Sequence, residues 1–262
     1  MVGAFFLFSG FHIYLMKRLF YILPFLFIPF FSVAQLTSGN TGLLNVPSAE
    51  MQKDGSFVFG GNYLPEDFTP DYFSYNTGNY FLNLTMFSFF EVTYRCTLMK
   101  MKDNGKYHNQ DRSFSVRGRL LEESTWLPAV VVGGNDLFSS TPGKRDVLSG
   151  DTDIKGNRFY RTVYGVATKH LKWADSEFGF TVGSGFSDFN NGHLDGVFGG
   201  VSWSPWFAHN LSLIGEYDSN VFNTGATLLL WDHLYLQGFM HDMKNFVGGV
   251  AYKITLGGRR KK

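Results

Sequence analysis

Cysteine is all but missing from this sequence: Cys96 is the single one in 262 residues. No internal disulfide can form, and one thiol carries no redox or metal argument. Proline is sparse at 8 residues, and neither charge sign dominates, with 23 Lys plus Arg against 22 Asp plus Glu. The basic excess that would favour nucleic acid is missing, and so is an acidic tail. Beyond residue 34 there are few long apolar runs, and the mean hydropathy is −0.07, which fits poorly with a helical membrane protein. Catalytic spacing is missing as well. The histidines, His108, His170, His193, His209, His233 and His241 among them, form no His-x-Ser arrangement on a strand. His241-Asp242 is the nearest thing to a base with an orienting carboxylate, and it falls near a strand end where solvated His and Asp are ordinary. No zinc spacing occurs, and Asp146, Asp151 and Asp153 read as a solvated acidic loop rather than a calcium site. The expectation is a protein that is not an enzyme, with no catalytic residue, no cofactor and no metal.

Aromatics and glycine are what the chain has in quantity: 18% Phe, Trp and Tyr, with 29 Phe, 13 Tyr and 30 Gly. Hydrophobicity alternates at period two in run after run. In FFEVTYRCTLM (89–99), Phe90, Val92, Tyr94, Cys96 and Leu98 share one face and Glu91, Thr93, Arg95 and Thr97 the other. Tyr80, Leu82, Leu84 and Met86 oppose Asn83 and Thr85, and Phe114, Val116 and Leu120 oppose Ser115, Arg117 and Arg119. Leu211, Leu213 and Tyr217 oppose Ser212, Glu216 and Asp218, and Val250, Tyr252, Ile254 and Leu256 oppose Ala251, Lys253 and Thr255.

One such strand also suits a soluble sheet with one wet face, so the argument rests on repetition. About twelve strands of roughly ten residues, joined alternately by short and long connections, predict an all-β fold. The architecture expected is a transmembrane antiparallel up-and-down β-barrel over residues 56–256. The strands are expected near 56–64, 79–87, 89–101, 113–123, 127–138, 159–172, 177–186, 197–206, 210–219, 222–231, 234–244 and 246–256. Charges at mid-strand would then face the lumen, since Arg or Lys on the lipid face costs roughly 2–4 kcal/mol near the midplane. Glu91, Arg95, Arg117, Arg119, Glu216, Asp218 and Lys253 are the candidate lumen charges, and Arg95, Arg117, Arg119, Glu216 and Lys253 are expected to pair there. Trp203, Trp206, Tyr217 and Trp231 suit an interface girdle, or stacking on sugar rings within the lumen. GSGF (183–186) and GGVSW (199–203) are not phosphate cradles, because no helix follows them. A soluble secreted β-sandwich, with the greasy faces packed on each other, remains the competing fold.

Residues 1–34 read as a secretory signal. Lys17-Arg18 precede the apolar run Leu19 to Phe31, and Ser32-Val33-Ala34 supply small residues for cleavage before Gln35. Met16 is the expected true start. No cysteine sits at the cleavage site, which argues against a lipoprotein. Without residues 1–34 the chain has 21 basic and 22 acidic residues and a formal charge of −1. Arg259 to Lys262 form a solvated basic tail, residues 257–262.

Residues 35–55 pose a different question. TGLLNVPSAEMQKDGS (41–56) is too polar for a core strand. Pro47 presets the backbone, Ser48 suits the cap of a short turn through Ala49 to Gln52, and Asp54-Gly55 suits a tight turn into the first strand. Leu43, Leu44, Val46 and Met51 make a small apolar patch. With Pro47 they define a candidate plug or lid on the periplasmic mouth; a leader that only seats the first strand is the alternative.

Gly42-Leu43-Leu44, Pro47-Ser48-Ala49 and Asp54-Gly55, in this order, resemble the N-terminal signature of YjbH-type outer-membrane proteins. GGVSW, LSLIGEYDSNVFNTGATLLLW and FVGGVAYKI extend the resemblance toward the C-terminus. It implies an outer-membrane barrel of a Gram-negative-type bacterium, tied to exopolysaccharide or capsule biosynthesis as conduit or scaffold. The implied partners are outer-membrane lipid, polysaccharide and envelope export proteins, with no nucleic acid. A small general porin, or a structural barrel without a polysaccharide role, is the alternative.

Overall fold

Period-two alternation with a greasy face needs a sheet, and a sheet with unpaired edges invites association with other chains. This chain removes its edges by closure. The computed structural model describes residues 37–69, 75–100, 105–140, 160–187 and 192–256. The signal segment, the acidic loop holding Asp146, Asp151 and Asp153, and the basic tail lie outside these residues. Twelve strands follow one another: β1 Ser56–Leu64, β2 Thr77–Met86, β3 Phe90–Lys100, β4 Tyr107–Leu121, β5 Ala129–Ser140 and β6 Thr162–Trp173; then β7 Ser176–Phe186, β8 Gly196–Ser204, β9 Leu211–Tyr217, β10 Phe222–Leu230, β11 Leu234–His241 and β12 Asn245–Thr255. Each pairs antiparallel with its neighbours in sequence, and β1 pairs with β12 from Ser56↔Thr255 to Tyr63↔Gly248. The result is a closed up-and-down barrel, as the alternation requires. Among the described residues the only helical element is a 3-10 turn at Glu66–Phe68, and no helix is long and apolar enough to cross a membrane.

The two ends of the barrel differ. At one end lie the chain's entry into β1, its exit from β12 and the short turns β2–β3, β4–β5, β6–β7, β8–β9 and β10–β11. Phe87-Ser88, Ala174-Asp175 and Trp231-Asp232 each place two successive residues at positive φ. That is the backbone twist of tight turns between right-twisted strands. All five tryptophans sit at this end and are exposed: Trp126, Trp173, Trp203, Trp206 and Trp231. At the other end, exposed Tyr63, Phe186, Phe222 and Phe246 point outward, and Tyr217 packs on Phe222 at 4.8 Å between ring centroids. Between the two rims the outer face is apolar and open, with Phe59, Leu82, Phe114, Val182, Val201, Leu213 and Val250 exposed. The inner face carries Asn83, Thr93, Arg95, Ser113, Arg117, Thr168 and Glu216, all buried. Polarity is inverted relative to a soluble sandwich.

One boundary needs correction. The loop expected over 102–112 is largely strand: β4 starts at Tyr107 and runs 15 residues. A register shift between Thr97 and Leu98 lets the β3–β4 ribbon continue past the alternating stretch. The extra residue of a bulge breaks period two, so Tyr107 to Arg112 carry no strand signal in their sequence.

Glycines tune closure of the wall. A β-carbon on Gly60 would lie 2.5 Å from Ala251 Cβ across the β1–β12 seam, whereas one on Gly165 would meet nothing within 4 Å. Gly60→Val therefore overpacks the seam at a cost of about 1–3 kcal/mol, and Gly165→Ala changes stability by about 0.5 kcal/mol or less. Guanidinium unfolding of the refolded barrel, read by its heat-dependent gel mobility, should rank the two this way; equal midpoints would contradict it.

Candidate functional site: a lumen filled by the N-terminal segment

Residues 37–49 are buried inside the barrel. Their fold is a small loop closed on itself. Leu43 N–H donates to Val46 O at 2.9 Å, Gly42 bridges Pro47, and Thr37 N–H donates to Leu44 O at 3.2 Å. A buried loop carries backbone groups that water cannot reach, so the wall must meet them. The wall does so with charged side chains. Glu216 on β9 accepts from three successive amides: Leu44 at 3.0 Å, Asn45 at 2.7 Å and Val46 at 3.2 Å. Glu91 on β3 accepts from Thr41 N–H at 2.8 Å and from Thr41 Oγ1 at 2.7 Å. The Arg117 guanidinium on β4 donates to the carbonyls of Thr41, Ser48 and Glu50, and its Nε lies 3.9 Å from Glu91 Oε1. Hydrogen bonds to charged groups each contribute about 1.5–3 kcal/mol, and more is lost when a buried partner is left unmet.

Neutral groups complete the hold. Asn62 and Asn79 both donate to Thr37 O, Asn40 donates to Asn135, and Ala49 N–H donates to Thr168 Oγ1. Apolar packing covers the other side: Leu43, Leu44, Val46 and Ala49 join one cluster with Tyr164, Phe198, Ile214, Phe239 and Val247, and Met51 packs against it. Pro47 is buried beside them. The segment thus lies within the lumen, not across the mouth from outside. Gly55, at φ +71°, makes the turn from the segment into β1. The turn expected through Ala49 to Gln52 does not form. Ala49 N–H is held by Thr168 instead, and the Ser48 hydroxyl bonds the Glu50 carboxylate at 3.0 Å.

The segment is anchored at both ends of the barrel. At the short-turn end His170 bridges two carboxylates, with Nε2 3.3 Å from Glu50 and Nδ1 2.7 Å from Glu123, and Lys169 Nζ joins Glu123 at 2.8 Å. Burial works against the Glu123 carboxylate, but the bonds from His170 and Lys169 outweigh it and hold its pKa below the usual range. At the long-loop end, Asn45 donates to Asp218 at 2.9 Å, and His193 Nε2 lies 3.1 Å from Asn45 Oδ1. Burial pushes the His193 imidazole down to about 4, against the pull of Asp218, so the ring is neutral at neutral pH. Burial also opposes ionisation of Asp218, yet the Val221 amide and the Asn45 and Asn223 side chains keep its pKa low.

Of the candidate lumen charges, Glu91, Arg95, Arg117, Glu216 and Asp218 are buried on the inner face. Only Arg117 and Glu91 pair within this set, at 3.9 Å. Glu216 meets backbone amides and the Asn223 side chain, while Arg95 pairs with Asp111 at 3.5 Å and covers the Tyr160 ring at 3.9 Å. Arg119 lies near the short-turn rim with Glu122 at 3.6 Å, and Lys253 reaches the Tyr235 hydroxyl at 3.3 Å. Asp111, Asn135, Thr168 and His193 are contacts that sequence reasoning missed. Asp111 stood in an expected loop, and the other three are single polar residues without a distinguishing pattern. Trp203 stacks on Phe178 on the outer surface, away from the lumen. Among the described residues no group of His, Cys, Asp and Glu is arranged to hold a metal.

Fold and interior together define a class: a closed twelve-stranded antiparallel barrel whose charged lumen is occupied by its own N-terminal segment. Residues 34–141 match the YjbH family, described as "Exopolysaccharide biosynthesis protein YbjH"; the match takes in the segment and β1 to β5. The chain is also 24% identical to the "Uncharacterized lipoprotein YjbH" of Escherichia coli (strain K12), over 85% of this chain and 32% of that protein. The resemblance to YjbH-type proteins is thereby borne out, and this chain spans about a third of the length of that relative. The relative is named a lipoprotein; Cys96 here is buried in β3.

Removing Arg117 tests the hold directly. Arg117→Met leaves three carbonyls without their donor and the Glu91 carboxylate without its counter-charge, at a cost on the order of 3–5 kcal/mol for breaking a buried pair. Arg117→Met with Glu91→Leu should cost less than the two single changes summed. Limited proteolysis should cut residues 37–52 in Arg117→Met and spare them in the wild type; equal resistance would contradict this account.

Proposed function

We propose that the chain is an outer-membrane β-barrel of an exopolysaccharide system, serving as a gated conduit or scaffold, with residues 37–52 as the plug. One observation carries the reading: a barrel greasy outside and charged inside has its lumen filled by its own leader, held by Glu91, Arg117 and Glu216. An outward apolar band between aromatic rims is what a bilayer asks of a barrel. By analogy with barrels of this kind, the short-turn end carrying the tryptophans faces the periplasm and the long loops face outward. The match to a family described by exopolysaccharide biosynthesis supports the class of cargo. The partners of this reading are outer-membrane lipid, polysaccharide and envelope export proteins, and catalysis is no part of it.

A permanently open general porin would leave its lumen to water, and the filled interior argues against that alternative. Deleting residues 36–52 should convert a barrel of low conductance in planar bilayers into one with stable open steps, with heat-modifiable mobility retained. Unchanged conductance in a folded deletion variant would overturn the gating role.

A further inference from the structure

The segment fills the lumen unevenly. Its apolar side chains dock on one part of the wall, against Tyr164 of β6, Phe198 of β8, Ile214 of β9, Phe239 of β11 and Val247 of β12. The wall formed by β2, β3 and β4 has another character. Its buried inward side chains are Asn, Thr, Ser and paired charges, with Phe81 the apolar exception, set against Gly39. The segment bonds to this wall through Asn79, Glu91 and Arg117.

Between those attachments the wall is left unmet. Asn83 Oδ1, Thr85 Oγ1, Arg95 Nε and Ser113 Oγ are fully buried and have no hydrogen-bond partner among the described residues. Buried polar atoms without partners are uncommon and costly, and a group of them marks a wall suited to meeting something other than the seated segment. Four such atoms on three adjacent strands mark a strip, whereas on the other strands they are spread singly, at Ser56 of β1, Asn135 of β5, Tyr164 of β6, Thr227 of β10 and Gln237 of β11. The strip carries no net charge, because Glu91 lies against Arg117 and Asp111 against Arg95. Amide oxygens, hydroxyls and guanidinium N–H groups together match a ligand whose hydroxyls both donate and accept.

We propose that the β2–β4 strip is the solute path of this barrel, covered while the segment is seated, and lined to take an uncharged polyhydroxyl chain, a neutral saccharide. The segment keeps its apolar dock on β6–β12 and yields on its polar side when the path opens. The inference rests on the conduit reading above, and the test separates the two.

Single cysteines are placed in a Cys96→Ser background: Ser113→Cys on the strip and Val247→Cys on the apolar side. Both are made in the full chain and in the form lacking residues 36–52, reconstituted in liposomes and checked for heat-modifiable mobility. The probe is a small, charged methanethiosulfonate reagent. In the full chain, Ser113→Cys should label roughly tenfold or more faster than Val247→Cys, because a close-packed apolar interior excludes the reagent. Maltoheptaose in excess should slow that labelling severalfold, and a sulfated oligosaccharide should not. In the shortened form both positions should label. Equal rates at the two positions in the full chain would overturn the strip, and protection by the sulfated sugar alone would overturn the neutral ligand. Absence of labelling at both positions in the shortened, folded form would instead overturn the conduit reading. Asn83→Cys, on the same strip, replaces Ser113→Cys if that variant fails to fold.

Discussion

The carboxylate of Glu216, in the interior of a closed barrel, accepts the amides of Leu44, Asn45 and Val46. A buried carboxylate without donors is prohibitive, and so is a buried loop whose amides lack acceptors. Each removes the other's cost. Glu91 and Arg117 repeat the exchange at Thr41, Ser48 and Glu50, with opposite charge meeting amides and carbonyls in turn. The segment and the lumen charges are therefore one unit. Neither is stable in this place without the other.

The barrel makes that unit possible. Antiparallel closure satisfies the wall's backbone internally, which leaves the inward side chains free to serve the segment. Period-two alternation sends Phe, Leu, Val and Tyr outward, so apolar area is spent on the surroundings and not on a core between layers. Of two interior apolar clusters, one joins Leu43, Leu44, Val46 and Ala49 of the segment to the wall, and the other is made by the wall alone, from Val58, Phe81, Leu229, Tyr235 and Ala251. The tryptophans gather at the end where the chain enters and leaves, which gives the barrel a polarity along its axis.

Most strands could be read from the sequence because an apolar outer face and a polar inner face impose the cleanest alternation a strand can show. β1 from Ser56 to Leu64 and β7 from Ser176 to Phe186 lie within a residue of expectation. The first part of β4 was invisible, since Tyr107 to Asn109 pair beyond a bulge and Tyr107 to Arg112 have no greasy face to alternate. Inward placement of Glu91, Arg117 and Glu216 followed from the same alternation. Their partners did not, because backbone amides and carbonyls leave no trace in residue type. Gly42-Leu43-Leu44 and Pro47-Ser48-Ala49 were visible as a motif, while the depth to which the segment enters the lumen depends on distant strands. Asp111 illustrates the same limit: it is joined to Arg95 by register across β3 and β4, and nothing local announces it.

On the function proposed above, a barrel stoppered by its own leader on one wall, with a polar strip of paired charges on another, is a channel that opens for a bulky hydroxyl-rich chain and stays shut otherwise. The central claim is that residues 41–46 are held inside the barrel by wall carboxylates. Amide hydrogen exchange in the membrane-inserted protein tests it most directly. The account predicts that the amides of Thr41, Leu44, Asn45 and Val46 exchange as slowly as those of the flanking β9 and β10 strands. Exchange of these four at the rate of an unprotected loop, with the strands still protected, would contradict it.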